Sequence, residues 1–326
     1  TPLWSSRSRH TACISSHCLL PCNSMRTQTL ILATLLATSG LSAQAGLSFL
    51  KLGVGGRALG MGEAFSAAAA DPSATYYNPA AMTRSRMPQI LLMHKEWIQG
   101  VKTEYLGATT ALNAFRFGVS VNATTVNDIE LRTTPGPAIG TFSARNAAIG
   151  FSASYDLNEE LALGATGKYL YEKILVSEAS GFGFDLGAAY RTPWNLRLAA
   201  AYLNLGSLNA LEEESSALPR MFRAGGAYDV SLEGIGSTLT FASDLVSLTS
   251  ESKTHLHLGA EFDYRRAVAF RLGYQTGYEG KTFSAGLGLR YGIVNVDYAF
   301  VPFRYDLGTT HTFSLLIEFP SSPGVP

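Results

Sequence analysis

Residues 282–300 read TFSAGLGLRYGIVNVDYAF, and this stretch decides the fold because two kinds of residue alternate along it. The apolar positions are Phe283, Ala285, Leu287, Leu289 and Tyr291 and then, after a short break, Val294, Val296, Tyr298 and Phe300. The positions between them are serine, glycine, arginine, asparagine and aspartate, with a single alanine. Successive side chains of a β-strand point to opposite faces. The stretch therefore predicts two strands, each with one apolar face, joined by a tight turn.

The same alternation recurs outward from this hairpin, from about residue 88 to the end of the chain. Fourteen segments carry it: 88–97, 101–112, 115–124, 146–156, 160–174, 178–191, 194–204, 220–230, 237–247, 253–264, 267–276, 281–291, 293–303 and 310–319. An even number of strands is expected of a bacterial single-chain barrel in the outer membrane. The predicted fold class is all-β, an antiparallel transmembrane β-barrel of about 14 strands.

A soluble sandwich would show the same alternation, and three features favour the membrane barrel. The segments mostly have the length that crosses a bilayer at a tilt. Aromatic residues lie near segment ends, as at membrane interfaces. Charged residues such as Arg223, Asp244 and Glu261 occur in the middle of the polar faces, where we expect them to line a wet lumen.

The lengths of the connections support a barrel with two different ends. Short connections follow the second, sixth, tenth and twelfth segments, whereas the longest, 125–145 and 205–219, follow the third and seventh. Outer-membrane barrels have short periplasmic turns and longer outer loops. The pattern therefore predicts that both ends of the barrel lie on the periplasmic side.

Composition excludes several classes of function. The chain has 326 residues, a formal net charge of zero and only 15% charged residues, against about 25% in soluble domains. A basic patch for nucleic acid is not expected. The expected location is the outer membrane of a Gram-negative-type bacterium, in contact with outer-membrane lipid.

The first 45 residues are expected to lie outside the fold. Residues 1–24 precede Met25 and are interpreted as an upstream leader that is not native. Residues 25–45 have a basic start, an apolar stretch and a final Ala-Gln-Ala, as in a cleaved signal peptide. All three cysteines lie in residues 1–24. The predicted divisions after these are a hatch at 46–86, the barrel at 87–319 and a tail at 320–326.

Residues 46–86 do not alternate and predict a compact helical piece inside the lumen, a plug. The alanine-rich run 62–70 is prone to helix. Asn78 and Pro79 suit the cap and the first position of another short helix. A piece of about 40 residues is too small to fold alone, so we expect the barrel to enclose it.

The hatch also carries a family resemblance. Residues 49–65, FLKLGVGGRALGMGEAF, with Asp71-Pro72-Ser73-Ala74 and Tyr77-Asn78-Pro79-Ala80-Ala81-Met82, resemble the N-terminal signature of the PorV/PorQ family. That family is similar to the FadL-type transporters, which have an N-terminal hatch with an Asn-Pro-Ala turn and a fourteen-stranded barrel. The resemblance implies structural roles in the hatch for Arg57, Gly60, Asn78, Pro79 and Ala80.

Two functions follow from the resemblance. A PorV/PorQ-like protein implies a role in type IX secretion or surface delivery of cargo, with secretion-channel proteins and secreted cargo as partners. The alternative is a FadL-like transporter for hydrophobic small molecules such as long-chain fatty acids. The transporter predicts an apolar pocket near the hatch, around Phe49, Leu50, Phe65 and Met82.

Other motifs favour no enzyme, and we expect no catalytic, cofactor-binding or metal-binding residues. Gly53-x-Gly55-x-x-Ala58 matches a loose dinucleotide fingerprint but lacks the βαβ unit that such a site needs. His255 and His257 share one strand face and could hold a metal, although lining a lumen is the simpler interpretation. The acidic run at 212–214 is expected to be a solvated loop.

Overall fold

The structure is a computed structural model, and it describes residues 47–85, 87–209, 217–249, 251 and 253–320. The predicted leader and signal peptide, 1–45, and most of the predicted tail, 321–326, lie outside the described residues, as does the acidic run at 212–214. Among the residues described, no helix is both long and apolar enough to cross a membrane.

Fourteen antiparallel strands form one closed barrel, which confirms the predicted fold class. The strands are β1 (Gln89–Glu96), β2 (Val101–Leu112), β3 (Phe115–Leu131), β4 (Gly140–Asp156), β5 (Leu161–Ile174), β6 (Ser177–Arg191), β7 (Arg197–Leu208), β8 (Met221–Leu232), β9 (Ser237–Leu248), β10 (Thr254–Tyr264), β11 (Val268–Gln275), β12 (Phe283–Tyr291), β13 (Val294–Pro302) and β14 (Thr309–Glu318). Each strand pairs with its neighbours in sequence, and β1 closes the ring on β14 from Gln89 opposite Glu318 to Glu96 opposite His311.

Between residue 47 and β1, the described residues form short helices and turns. These are α1 (Gly56–Gly60), α2 (Ala74–Tyr77) and two 3-10 helices, Ser48–Lys51 and Pro79–Arg84. Two further 3-10 turns, Ile98–Gly100 and Glu233–Ile235, connect strands. We call residues 47–85 the N-terminal segment.

The alternation places apolar residues on the outer wall and polar residues inside. Leu245, Leu272 and Phe182 are 51, 57 and 63% exposed, whereas the inward Asp244 and Arg271 are buried. An apolar exterior of this kind is what a barrel wall in lipid requires. The inward charges are not solvated, however. The expectation of a wet lumen around Arg223, Asp244 and Glu261 is wrong, because the N-terminal segment covers them.

The two ends of the barrel differ as predicted. At one end, which we call the short-turn end, the connections are 113–114, 157–160, 192–196, 233–236, 265–267 and 292–293. At the other, the long-loop end, they include 132–139, 209–220, 276–282 and 303–308. The connection between β5 and β6 is an exception, with only residues 175–176 outside the strands.

The predicted loop at 125–145 is mostly strand, which corrects the sequence analysis. β3 continues to Leu131 and β4 begins at Gly140, with a bulge between Val126 and Ile129. Asp128 in the bulge has a left-handed backbone, with φ of 56°. A bulge inserts an extra residue into one strand, so the alternation loses its phase there and the sequence alone suggests a loop.

The predicted helix at 62–70 is also wrong, because this run forms turns between α1 and α2. Several of its backbone groups bind side chains, although Ala69 N also donates to Phe65 O at 2.9 Å. The amides of Phe65 and Ser66 donate to the Asp244 carboxylate at 3.2 and 2.9 Å. The Arg84 guanidinium donates to the carbonyl oxygens of Ala67, Ala68 and Ala69 at 2.6–3.2 Å. Partners of this strength replace the helical bonds that alanine would otherwise favour.

Candidate functional site

The N-terminal segment packs against the inward face of the barrel strands. α1 contacts β11, β12, β13 and β14, and the helix Pro79–Arg84 contacts β3, β4, β5 and β6. Glycines permit the close approach: a Cβ at Gly60 would lie 3.0 Å from the Cα of Gly286 on β12. Such contacts on opposite sides of the ring mean that one segment bridges the barrel wall from within.

A first polar cluster, which we call the α1 cluster, holds α1 to the wall. Arg57 donates two hydrogen bonds to Glu261 on β10, at 2.9 and 2.7 Å. Arg271 on β11 donates to the same carboxylate at 2.5 Å and to Asp297 at 2.7 Å. Burial alone would lower the pKa of Arg57, but the attraction of Glu261 outweighs it and raises that pKa above its ordinary value. Arg57 therefore stays ionised.

A second polar cluster lies on Asp244 of β9, and we call it the Asp244 cluster. The Oδ2 atom accepts hydrogen bonds from Phe65 N, Ser66 N, Ser66 Oγ and Arg223 Nη2, at 3.2, 2.9, 2.6 and 2.9 Å. Arg223 also donates from Nε to Ser66 Oγ at 3.0 Å and from Nη2 to the carbonyl of Glu63. Arg223 and Asp244 are each about 1% exposed. All four bonds go to one oxygen, and among the described residues the Oδ1 atom has no hydrogen-bond partner. Removing one member of a buried ion pair is costly.

Asn78 joins three parts of the backbone. Its Oδ1 accepts from Ala80 N at 3.0 Å, as an N-cap does. Its Nδ2 donates to Ala188 O on β6 at 3.0 Å and to Ser66 O at 3.4 Å. Pro79 takes the first position of the 3-10 helix, and both Pro79 and Ala80 are buried.

Residues Gly62 and Glu63 make a tight turn after α1. Both have positive φ, 63° and 59°, and only the first is a glycine. Glu63 Oε1 accepts from Lys281 Nζ at 2.8 Å. Burial would raise the pKa of the Glu63 carboxyl, but Lys281 and His257 overcome this and hold the pKa well below its ordinary value. The strained turn is therefore tied to the β11–β12 loop by an ionised pair.

A cavity of about 270 Å³ lies between the N-terminal segment and the wall at the long-loop end, and we call it the outer cavity. Its apolar lining includes Leu59, Met221, Val246, Leu248, Val301 and Phe303. Its polar lining includes Glu63, Lys95, Arg223, Glu251, His257 and Lys281. The combination of an apolar wall and a few convergent polar groups is typical of a small-molecule site.

Lys95 on β1 is the unusual charge in the outer cavity. It is 3% exposed, and its Nζ donates to Gly53 O at 3.1 Å. Lys51 and Lys281 pair with Glu251 and Glu63, but within the described ranges Lys95 forms no ion pair. A buried ammonium with three donors and one carbonyl acceptor can take an anionic group.

A larger cavity of about 740 Å³ opens at the short-turn end, and we call it the inner vestibule. The N-terminal segment contributes Ser66, Ala67, Ala81 and Arg84 to its lining. Its charged lining residues include Asp156, Arg197 and Asp229 on strands and Glu160 in the connection between β4 and β5. Its lining is much more polar than that of the outer cavity.

The residues predicted to form an apolar pocket lie elsewhere. Phe65 and Met82 belong to a packed core that includes Tyr77. Phe49 and Leu50 pack in a separate cluster with Leu170, Leu208 and Leu218. None of the four is among the described lining residues of the outer cavity. Lys95 is not among the predicted site residues, and its one signal in the sequence is a lysine at an inward position of β1.

The two histidines singled out from the sequence contact an aromatic residue. The His255 ring stacks on Tyr278 with centroids 3.9 Å apart, and its Nε2 lies 3.1 Å from Glu251. His257 Nε2 lies 3.0 Å from the Tyr278 hydroxyl. In the part of the chain that the structure describes, no group of three or more His, Cys, Asp or Glu side chains is arranged to hold a metal ion.

Comparison with known proteins identifies the fold. Residues 37–183 match the sequence profile of an uncharacterised protein family (UPF0164). No curated protein sequence matches the chain. Similar solved structures include the CymD monoaromatic hydrocarbon channel, with 15% identity, a TM-score of 0.59, and coverage of 82% of this chain and 98% of that one.

Two further structures are similar over the same share of this chain. They are the Pseudomonas putida toluene transporter TodX, at 13% identity and TM-score 0.56, and a Pseudomonas aeruginosa FadL homologue, at 13% and 0.50. The chain covers 97 and 98% of these two proteins. The specific resemblance to PorV/PorQ stays a prediction. The chain has the barrel fold of the FadL-like outer-membrane channels.

Proposed function

We propose that the protein is an outer-membrane transporter that binds a hydrophobic small molecule in the outer cavity and releases it toward the inner vestibule. The observation that carries the proposal is the apolar outer cavity, with the buried ammonium of Lys95 at its edge. The fold shared with the hydrocarbon channel CymD and the toluene transporter TodX supports it.

In this proposal each division of the chain has one role. Residues 25–45 export the chain, 46–86 form the hatch and 87–319 span the outer membrane. The long-loop end faces outward, so that ligand enters from the outer cavity, and the short-turn end faces the periplasm. Arg57, Gly60, Asn78, Pro79 and Ala80 keep the hatch docked, and the protein performs no catalysis.

Lys95 favours a ligand with an acidic head over a plain hydrocarbon. An apolar chain fits beside Leu248, Val301 and Phe303, and a carboxylate can accept from the Lys95 ammonium. Long-chain fatty acids have this chemistry. A neutral hydrocarbon would leave the buried ammonium with the Gly53 carbonyl as its partner, whereas a carboxylate would offset the cost of burying the charge.

The test is binding of a dansyl-labelled undecanoic acid to the purified protein in detergent, with toluene as a competitor. Lys95→Met keeps the apolar stem and should weaken binding of the acid about tenfold or more, the usual worth of a charged hydrogen bond. Lys102→Met is the matched control, since Lys102 is exposed on β2. If the parent protein binds neither the acid nor toluene, the proposal is overturned.

A second candidate is the PorV/PorQ-like role in type IX secretion. The observation that favours it is the motif at residues 49–82, from Phe49 through Asn78-Pro79-Ala80 to Met82. It predicts that secretion-channel proteins or cargo co-purify with the barrel from outer membranes. If a deletion strain still delivers cargo to its surface, this candidate is eliminated.

A further inference from the structure

A thin partition separates the two cavities. Glu63 lines the outer cavity and Ser66 lines the inner vestibule. Three residue steps of fully extended chain span at most about 10 Å, so the linings of the two cavities approach each other at the turn of residues 63–66. A movement of the N-terminal segment at this turn is the shortest way to connect them.

The Asp244 cluster holds that turn. Asp244 accepts from the amides of Phe65 and Ser66, and Arg223 binds the Glu63 carbonyl and the Ser66 hydroxyl. Arg223 itself lines the outer cavity. The two side chains therefore bind both ends of the partition, and both come from adjacent strands of the wall.

The turn also contains a residue, Glu63, in a backbone conformation that depends on its contacts. Glu63 has φ of 59°, a left-handed backbone that a residue with a side chain rarely adopts without support from its surroundings. Its carbonyl is bound by Arg223 and its carboxylate by Lys281. Loss of the Arg223 contact would let this residue return to an ordinary conformation.

We infer that Arg223 and Asp244 form the latch of the transport path, and that release of residues 63–66 from this pair joins the outer cavity to the inner vestibule. The inference rests on the proposed transport function for its purpose, but the latch can be tested without any ligand. The exposed ion pair of Arg290 and Asp263 provides the contrast. Neither residue is among the described residues that line the two cavities, so breaking this pair should not connect them.

The experiment measures the conductance of single purified barrels in planar lipid bilayers with KCl as the probe. In Asp244→Asn the fraction of time spent in an open, ion-conducting state should rise about a hundredfold over the parent, since breaking a buried ion pair shifts an equilibrium strongly. Asp263→Asn is the matched control, because it removes one carboxylate charge from the exposed pair with Arg290, and it should keep the parent's conductance. Equal conductance in the parent, Asp244→Asn and Asp263→Asn would overturn the latch.

Two further variants keep the test valid if Asp244→Asn folds poorly. Gly225 on β8 lies opposite Asp244, and a Cβ there would overlap the Asp244 carboxylate. Gly225→Ala should therefore open the barrel while every charge remains. Ser66→Ala removes the hydroxyl that donates to Asp244 and accepts from Arg223, so it should also raise the open fraction. Conductance like that of the parent in both Gly225→Ala and Ser66→Ala would contradict the inference.

The ligand-binding test and the conductance test fail separately. If the parent binds neither the acid nor toluene while Asp244→Asn conducts, the proposed ligand-binding function is wrong and the latch is supported. If the parent binds the acid and neither Asp244→Asn nor Gly225→Ala conducts, the latch is wrong and the binding site stands.

Discussion

Asn78 lies directly against Gly187 of β6, where a Cβ would overlap the Asn78 Oδ1 atom. This contact sets the distance between the N-terminal segment and the wall on one side of the barrel. It also lets Asn78 Nδ2 reach Ala188 O. A glycine on a strand and an amide on the segment thus form one docking point, although 109 positions separate them in sequence.

Asn78→Ala should destabilise the docked N-terminal segment by about 2 kcal/mol. The cap is worth roughly 1 kcal/mol, and the part-buried carbonyl of Ala188 loses its side-chain donor, which adds a comparable cost. The measurement is the rate of proteolysis within residues 47–85. Thr83→Ala is the control, because Thr83 Oγ1 donates only to Ala80 O. Equal rates in the two variants would contradict the role given to Asn78.

Gly187→Ala should expose the segment to a similar degree. The added methyl group displaces the Asn78 side chain, and overpacking of a close contact costs about 1–3 kcal/mol. Hydrogen exchange of the amide of Ala80, which Asn78 caps, reports the loss. Gly234→Ala is the matched control, since no atom lies within 4 Å of a Cβ there. Protection of Ala80 that survives Gly187→Ala would disprove the docking point.

Arg57→Met should weaken docking of α1 by about 2 kcal/mol. The methionine keeps the apolar stem, and Glu261 loses two charged hydrogen bonds while it keeps Arg271. The readout is hydrogen exchange at the amides of Leu59 and Met61, which bond within and after α1. Arg290→Met removes an exposed pair with Asp263 and should change little, as exposed pairs contribute less than about 1 kcal/mol. Similar exchange in the two variants would refute the prediction.

Docking of the segment should weaken in acid through Glu63. Its pKa in the folded protein lies below the ordinary value of 4.5, because the attraction of Lys281 and His257 outweighs burial. A depressed pKa contributes stability that is fully present above the unfolded value and is lost as pH falls below it. Protection of residues 47–85 from proteolysis by pepsin should therefore decline from pH 4.5 downward.

Glu63→Gln isolates this contribution from that of other carboxylates. The variant should be less protected than the parent at pH 6 and should approach the parent as pH falls below 4.5. The measurement is the hydrogen-exchange protection of residues 47–85 in both proteins, at pH 6 and below pH 4.5. A difference between variant and parent that stays constant with pH would show that the ionisation of Glu63 does not stabilise the segment.

Asp244 shows what the sequence predicts and what it does not. Its place in an alternating segment predicts an inward side chain, and β9 confirms that orientation. The expectation that solvent surrounds this side chain is wrong, because the amides of Phe65 and Ser66 bind its carboxylate. The helix predicted for the alanine-rich run 62–70 is wrong for the same reason, since tertiary contacts to the backbone override intrinsic helix propensity.

The amino-acid sequence by itself determined the fourteen strands, which face of each is apolar, and the unequal ends of the barrel. These follow from a local period of two residues, which each strand carries without reference to the others. Only the tertiary structure decided which inward charge meets which part of the N-terminal segment, and where a cavity is left. Those contacts join residues as distant as Ser66 and Asp244, and they depend on register and on closure of the ring, which no local pattern contains.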